Sequence, residues 1–83
     1  MKLNKKELEI LENISEGNSD THQLKIFTNF DLNKILEIII KLEKLKLIDL
    51  VKKQDKSYNE EYWDAKITSS GKEELRKLFK DSR

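Results

Sequence analysis

Apolar residues recur at helical spacing through most of the chain and switch to alternation in one stretch towards its C-terminal end. Leu3, Ile10, Leu11 and Ile14 fall on one stripe, with Leu8 at its edge, and predict a helix from Asn4 to Glu16. Asn4 followed by Glu7 has the form of a capping box, and Gly17-Asn18 offers a left-handed stop. Ser19 or Asp20 can cap a short second helix, Thr21 to Thr28, whose buried residues would be Leu24 and Phe27. Asn29 and Phe30 make a turn, and Asp31 caps a third helix, Leu32 to Lys46. The separation of Thr21 from Asp31 suits a helix, a tight turn and a second helix.

The third helix carries an unusually wide apolar arc. At about 100° per residue, Ile35, Ile39 and Leu42 centre it, Ile38 and Leu45 widen one side, and Leu32, Leu36 and Ile40 widen the other. Asn33, Lys34, Glu37, Lys41 and Lys44 are left as a narrow polar arc. The β-branched run Ile38-Ile39-Ile40 has strand propensity of its own, but the flanking spacing is helical and the segment is too long for one strand. Leu47 to Lys53 then reads as a strand and polar Gln54 to Glu60 as a hairpin loop. The return strand, Tyr62 to Thr68, puts Trp63, Ala65 and Ile67 on one face and Tyr62, Asp64 and Lys66 on the other. Thr68 or Ser69 caps a last helix reaching about Lys80, with a stripe of Leu75, Leu78 and Phe79.

Composition narrows the class. At 83 residues the chain has room for one core, so residues 1–83 form a single domain of α+β class. Without cysteine there is no disulfide and no thiolate ligand or nucleophile. With His22 as the single histidine, no metal site is expected. The absence of a long apolar run argues against a membrane span, and the polar start argues against a secretory signal, so a cytoplasmic protein is expected. No acid/base pair, nucleophile arrangement or phosphate-cradling glycine loop appears, so neither an enzyme nor a cofactor is expected. The abundance of Lys, Ile, Glu and Asn suggests an AT-rich prokaryotic or viral genome. Charge is nearly balanced, with Lys+Arg 17 against Asp+Glu 16, so any basic surface depends on placement and not on the sum.

Two segments carry a family likeness. Leu42-Glu43-Lys44-Leu45-Lys46-Leu47-Ile48 and Ile67-Thr68-Ser69-Ser70-Gly71-Lys72-Glu73-Glu74-Leu75, separated by a charged hairpin, resemble the L-E-x-x-G-L-I and I-T-x-x-G-x-x-L signature of winged helix-turn-helix transcriptional regulators. MarR-type and PadR-type repressors and small archaeal or viral winged-helix proteins carry versions of it. The resemblance spans about Ile10 to Leu78 and implies three helices, a two-stranded β-wing, a C-terminal helix and binding to double-stranded DNA. The chain departs from the pattern at Lys46, which stands at the usual helix-ending glycine, so a residue other than glycine adopts that turn. It also departs at Asp31, Leu36 and Glu37, where small polar or basic residues are common.

The expected interface follows. A regulator of this type, a homodimer, would lay helix 32–46 of each subunit in successive major grooves and block polymerase at a promoter. Asn33 suits adenine, Lys34 and Lys41 suit phosphate or guanine, Glu37 can accept from cytosine N4, and Lys44 extends the same face. Lys52, Lys53, Lys56 and Tyr58 in the 52–60 wing would hold the backbone, and Thr21, His22 and Gln23 would touch phosphate. The same residues also describe an ordinary solvated face and a charge-protected hairpin edge. A rival class is a winged-helix protein-interaction module with little or no DNA binding, in which Leu36 and Ile40 contact a partner. Leu75, Leu78 and Phe79 either pair two subunits or close the core of one.

Overall fold

The computed structural model describes residues 3–57 and 60–81, with side chains as far as Lys77. Its elements are α1 (Lys5–Ser15), α2 (Thr21–Thr28), α3 (Leu32–Lys44), β1 (Ile48–Asp55), β2 (Glu60–Ile67) and α4 (Ser69–Asp81). Together they make a small α+β fold of four helices and a two-stranded antiparallel sheet, 45 × 23 × 19 Å across its principal axes.

Each helix starts where a short polar side chain can accept from the first free amides. Asn4 accepts from the Glu7 amide at 2.8 Å while the Glu7 carboxylate accepts from the Asn4 amide at 2.9 Å, a closed capping box. Asp20 caps α2 through the Gln23 amide (2.7 Å), and Asp31 caps α3 through the Lys34 amide (2.9 Å). Thr68 caps α4, its hydroxyl accepting from the Gly71 amide at 3.0 Å and donating to the Lys46 carbonyl at 2.7 Å.

Three helices end through a residue in the left-handed region: Gly17 after α1, Asn29 (φ 61) after α2 and Lys46 after α3. After α1, Gly17 (φ 101) donates to the Ile14 carbonyl and Asn18 to the Asn13 carbonyl, a Schellman motif. After α3 the same pair of bonds forms at a lysine: Lys46 (φ 63) donates to Glu43 and Leu47 to Leu42. The helix therefore stops at Lys44, two residues short of the expected Lys46. Lys46 is itself the residue that takes the glycine conformation. Leu42 and Leu47, the apolar pair of this motif, are both buried, which holds the strained turn in place. Left-handed backbone costs a Cβ-bearing residue about 1 kcal/mol or more. Lys46→Gly is therefore expected to raise stability by about 1 kcal/mol, read as a Tm increase of roughly 4–8 °C for a domain of this size. An unchanged or lower Tm would show that the turn is not strained.

The core gathers Ile10, Leu11 and Ile14 of α1, Leu24 of α2, Ile35, Ile38, Ile39 and Leu42 of α3, then Leu47, Ile48, Ala65 and Leu75. Phe27, expected in this core, is 62 % exposed. The buried side of α2 is narrow and is completed by Thr21 and Thr28, whose hydroxyl returns to the Leu24 carbonyl at 2.6 Å. Leu75 belongs to the core of the single chain and is 8 % exposed, which removes it from any surface offered to a partner. The expected contributions of Leu78 and Phe79 lie outside the described side chains.

The strands reach further than the polarity of 54–60 suggests. Pairing runs from Ile48 opposite Ile67 to Asp55 opposite Glu60, so Gln54 and Glu60 are strand residues. The hairpin gains a further partner from the α1–α2 connection. The Ala65 amide donates to the Ser19 carbonyl at 2.7 Å, Asp20 bridges Asp64 in antiparallel sense, and the Ser19 hydroxyl donates to the Asp64 carboxylate at 2.8 Å. A segment that reads only as a helix cap thus also ties the free edge of β2 to the helices.

Candidate interaction surface

The side of α3 away from the core presents Asn33, Glu37, Ile40 and Lys44, all exposed. One flank, towards α1, carries Lys34 and Lys41. The other, towards the hairpin, carries Leu32 (46 % exposed) and half-buried Leu36. Between that second flank, the start of α2 and the outer half of β2 lies a groove of about 520 Å³ lined by His22, Lys25, Leu32, Leu36, Tyr62 and Trp63, with Glu60 and Glu61 at its hairpin edge. Trp63 shares the inward sheet face with Ala65, as the alternation predicts, and packs at the margin of the core. The Lys52 ammonium sits 5.7 Å from the Trp63 ring centre and 2.8 Å from Glu61.

The candidate cations differ in how they are held. Lys41 lies 2.6 Å from one carboxylate oxygen of Glu7, whose side chain is only 7 % exposed and whose other oxygen takes the Asn4 amide. The Lys41 hydrogen bond, reinforced by the Asn4 amide, holds the Glu7 carboxyl below its usual value against the opposing effect of burial. Lys41 is thus a cross-link between α3 and α1, and its ammonium is committed within the fold. Lys53 pairs with Asp64 at 3.0 Å; that contact raises the lysine and, with the Ser19 hydroxyl, lowers the aspartate. Lys52–Glu61 and Lys34–Glu37 (3.9 Å) are exposed pairs, worth well under about 1 kcal/mol and readily exchanged for another anion. Lys44 and Lys56 have no ion-pair partner among the described residues.

At the start of α2 the expected phosphate contacts separate. Thr21 is 4 % exposed, so its side chain is not presented. Gln23 is turned back on the cap, its side-chain oxygen accepting from the Ser19 amide at 3.1 Å. His22 remains exposed, 3.7 Å from Glu60 and with its ring 5.5 Å from that of Tyr62. Tyr58 lies outside the described residues. Residues whose place beside the groove the sequence did not indicate are Lys25, Glu60 and Tyr62, and Glu7 was not read as the anchor of Lys41. The signal for Glu7 was there: a carboxylate on the apolar side of an amphipathic helix demands a cation from elsewhere.

Among the described residues no helix is long and apolar enough to cross a membrane, and no cluster of His, Asp or Glu is placed to hold a metal ion. Comparison with protein-family models, curated proteins and solved structures finds no match.

Proposed function

We propose that the chain is a winged-helix DNA-binding module of a transcriptional regulator, in which α3 enters the major groove and the β1–β2 hairpin is the wing. The observation that carries this reading is the arrangement of α2, α3 and the hairpin. Asp20 and Asp31 start two helices across a left-handed Asn29 turn (φ 61), α3 keeps a full face clear of the core, and the hairpin stands beside that face with its edge bridged by Ser19-Asp20. Asn33 and Lys44 offer base-edge and phosphate contacts from α3, and Lys52 and Lys56 offer phosphate contacts from the hairpin. Lys41 takes no part, being bound to Glu7.

Binding to a random-sequence duplex, followed by fluorescence anisotropy across salt concentrations, tests this. The expected result is an affinity that falls with a log–log slope of roughly −3 for about three phosphates neutralised. Replacing Lys44, Lys52 and Lys56 together by Ala should remove most of that slope while leaving the melting temperature nearly unchanged, because none of the three is buried. No binding at low salt would overturn the proposal.

A second reading, a winged-helix module that binds protein instead, is favoured by one specific feature: the Leu32, Leu36 and Ile40 flank leaves apolar surface beside the groove where a DNA-reading face is usually polar. On that reading the duplex experiment is blank and Leu36 and Ile40 make the contact.

A further inference from the structure

We infer that the DNA site faced by α3 contains a thymine whose 5-methyl group packs against Ile40, about three base pairs from an adenine held by Asn33. The inference deepens the DNA-binding proposal and rests on it.

The placement follows from the turn of the helix. Measured from Asn33, the buried residues Ile35, Ile38, Ile39 and Leu42 of α3 lie at about 200°, 140°, 240° and 180°, so the core side is centred near about 190°. Asn33, Glu37, Ile40 and Lys44 fall at about 0°, 40°, 340° and 20°, a single stripe centred opposite the core. All four are exposed. Lys41 stands to one side of the stripe, bound to Glu7, and Leu32 and Leu36 stand to the other, beside the hairpin groove. A helix laid in the major groove with its core side towards the protein therefore turns this stripe to the base edges. Asn33 to Ile40 covers about 10 Å of helix, the rise of about three base pairs.

The chemistry along the stripe decides what each position can face. Glu37 has only a loose 3.9 Å approach to Lys34. Phosphates repel a carboxylate, so the middle of the stripe lies over the base edges, where an exocyclic amine can donate to it. Lys44, at the far end, suits phosphate. Ile40 lies between Glu37 and Lys44, is 47 % exposed, and has no polar atom to offer. Over a donor or acceptor it would strip water from a polar group and replace it with nothing. The one apolar group that the major groove presents is the thymine methyl. An aliphatic side chain on the reading stripe is thus a selector for thymine, where a polar residue would select by hydrogen bonding.

Selection from a random-sequence duplex library by the full chain, followed by fluorescence anisotropy on the enriched duplex, is the test. Replacing the thymines one at a time by deoxyuridine removes a single methyl group and leaves base pairing intact. At one position this should weaken binding about fourfold, the scale of one buried methyl group. Ile40→Ala withdraws the branched side chain from the groove and should bind the thymine and deoxyuridine duplexes equally. Its melting temperature should stay near that of the parent, because Ile40 lies outside the core. A merely structural role for Ile40 would not abolish the difference between the two duplexes. Three results would overturn the inference and leave DNA binding standing: duplex binding without enrichment of any sequence, deoxyuridine substitutions that are all neutral, or a methyl effect as large in Ile40→Ala as in the parent. No duplex binding even at low salt would overturn the DNA-binding proposal and this inference with it.

Discussion

Gly71→Ala is expected to lower stability by about 3 kcal/mol, the upper end of what overpacking a filled site costs, and Tm by roughly 12–24 °C for a domain of this size. Helix propensity alone gives the opposite sign, since Ala in a helix is favoured over Gly by about 1 kcal/mol. Packing wins because a Cβ at Gly71 would lie 2.2 Å from the Leu47 carbonyl oxygen and 2.7 Å from Ile67 Cγ1. The first of these atoms is backbone and cannot rotate away. That carbonyl also accepts the Thr68 amide at 3.0 Å, and Leu47 is the residue that closes the Schellman motif of α3. Moving α4 off Gly71 therefore disturbs the α4 cap, the start of β1 and the end of α3 together. Ser70→Ala, one residue away and exposed, is the control and should change Tm little. Thermal and urea denaturation of both variants reads the result; a Gly71→Ala chain as stable as the parent would mean that α4 docks loosely on the sheet.

Gly71 also shows what kind of information the sequence holds. Features fixed within a few residues were legible. Asn4, Asp20 and Asp31 each accept from an amide three positions on, and a cap of that kind is decided by its own turn. The apolar centre of α3 was legible because Ile35, Ile39 and Leu42 lie on one face at helical spacing, and the sheet faces because alternation leaves Trp63, Ala65 and Ile67 together. Features set by a remote partner were not. The wheel of α2 places Phe27 beside Leu24, yet what decides its burial is whether another element arrives on that side, and among the described residues none covers it: Phe27 is 62 % exposed. Ser19 and Asp20 meet β2 some 45 positions later, and no local pattern announces an edge bridge. Lys41 was correctly placed on the polar arc, half exposed, but its role depends on Glu7, 34 positions earlier. The candidate surface was legible as a set of exposed residues on α3 and the hairpin. Its division into committed and available cations, and the groove between α2 and β2, needed the tertiary arrangement.

Lys41→Ala is the second large effect, expected to cost about 2 kcal/mol, the scale of a hydrogen bond to a charged group. The figure is held below that of a fully buried pair because the lysine is half exposed and water can follow it in. The variant leaves the Glu7 carboxylate, itself almost fully enclosed, with the Asn4 amide alone. The pH dependence identifies the cause. Glu7 has a folded pKa below its unfolded value of about 4.5, so the native chain binds fewer protons than the unfolded one in the acid range. The stabilisation is fully present above pH 4.5 and is lost as pH falls through the folded value. Removing Lys41 removes part of that lowering. The gap in stability between parent and variant should therefore be widest near neutral pH and should shrink steadily below pH 4.5. Glu7→Gln, which keeps an acceptor for the Asn4 amide but has no charge to satisfy, should make the loss of Lys41 much less costly when the two are combined. Urea denaturation of the four chains of this cycle at neutral and acid pH measures both quantities. A gap that stays constant with pH would show that Lys41 stabilises α3 through its aliphatic stem. In that case its ammonium is available to phosphate, and it would rejoin Lys44 among the residues proposed to contact DNA.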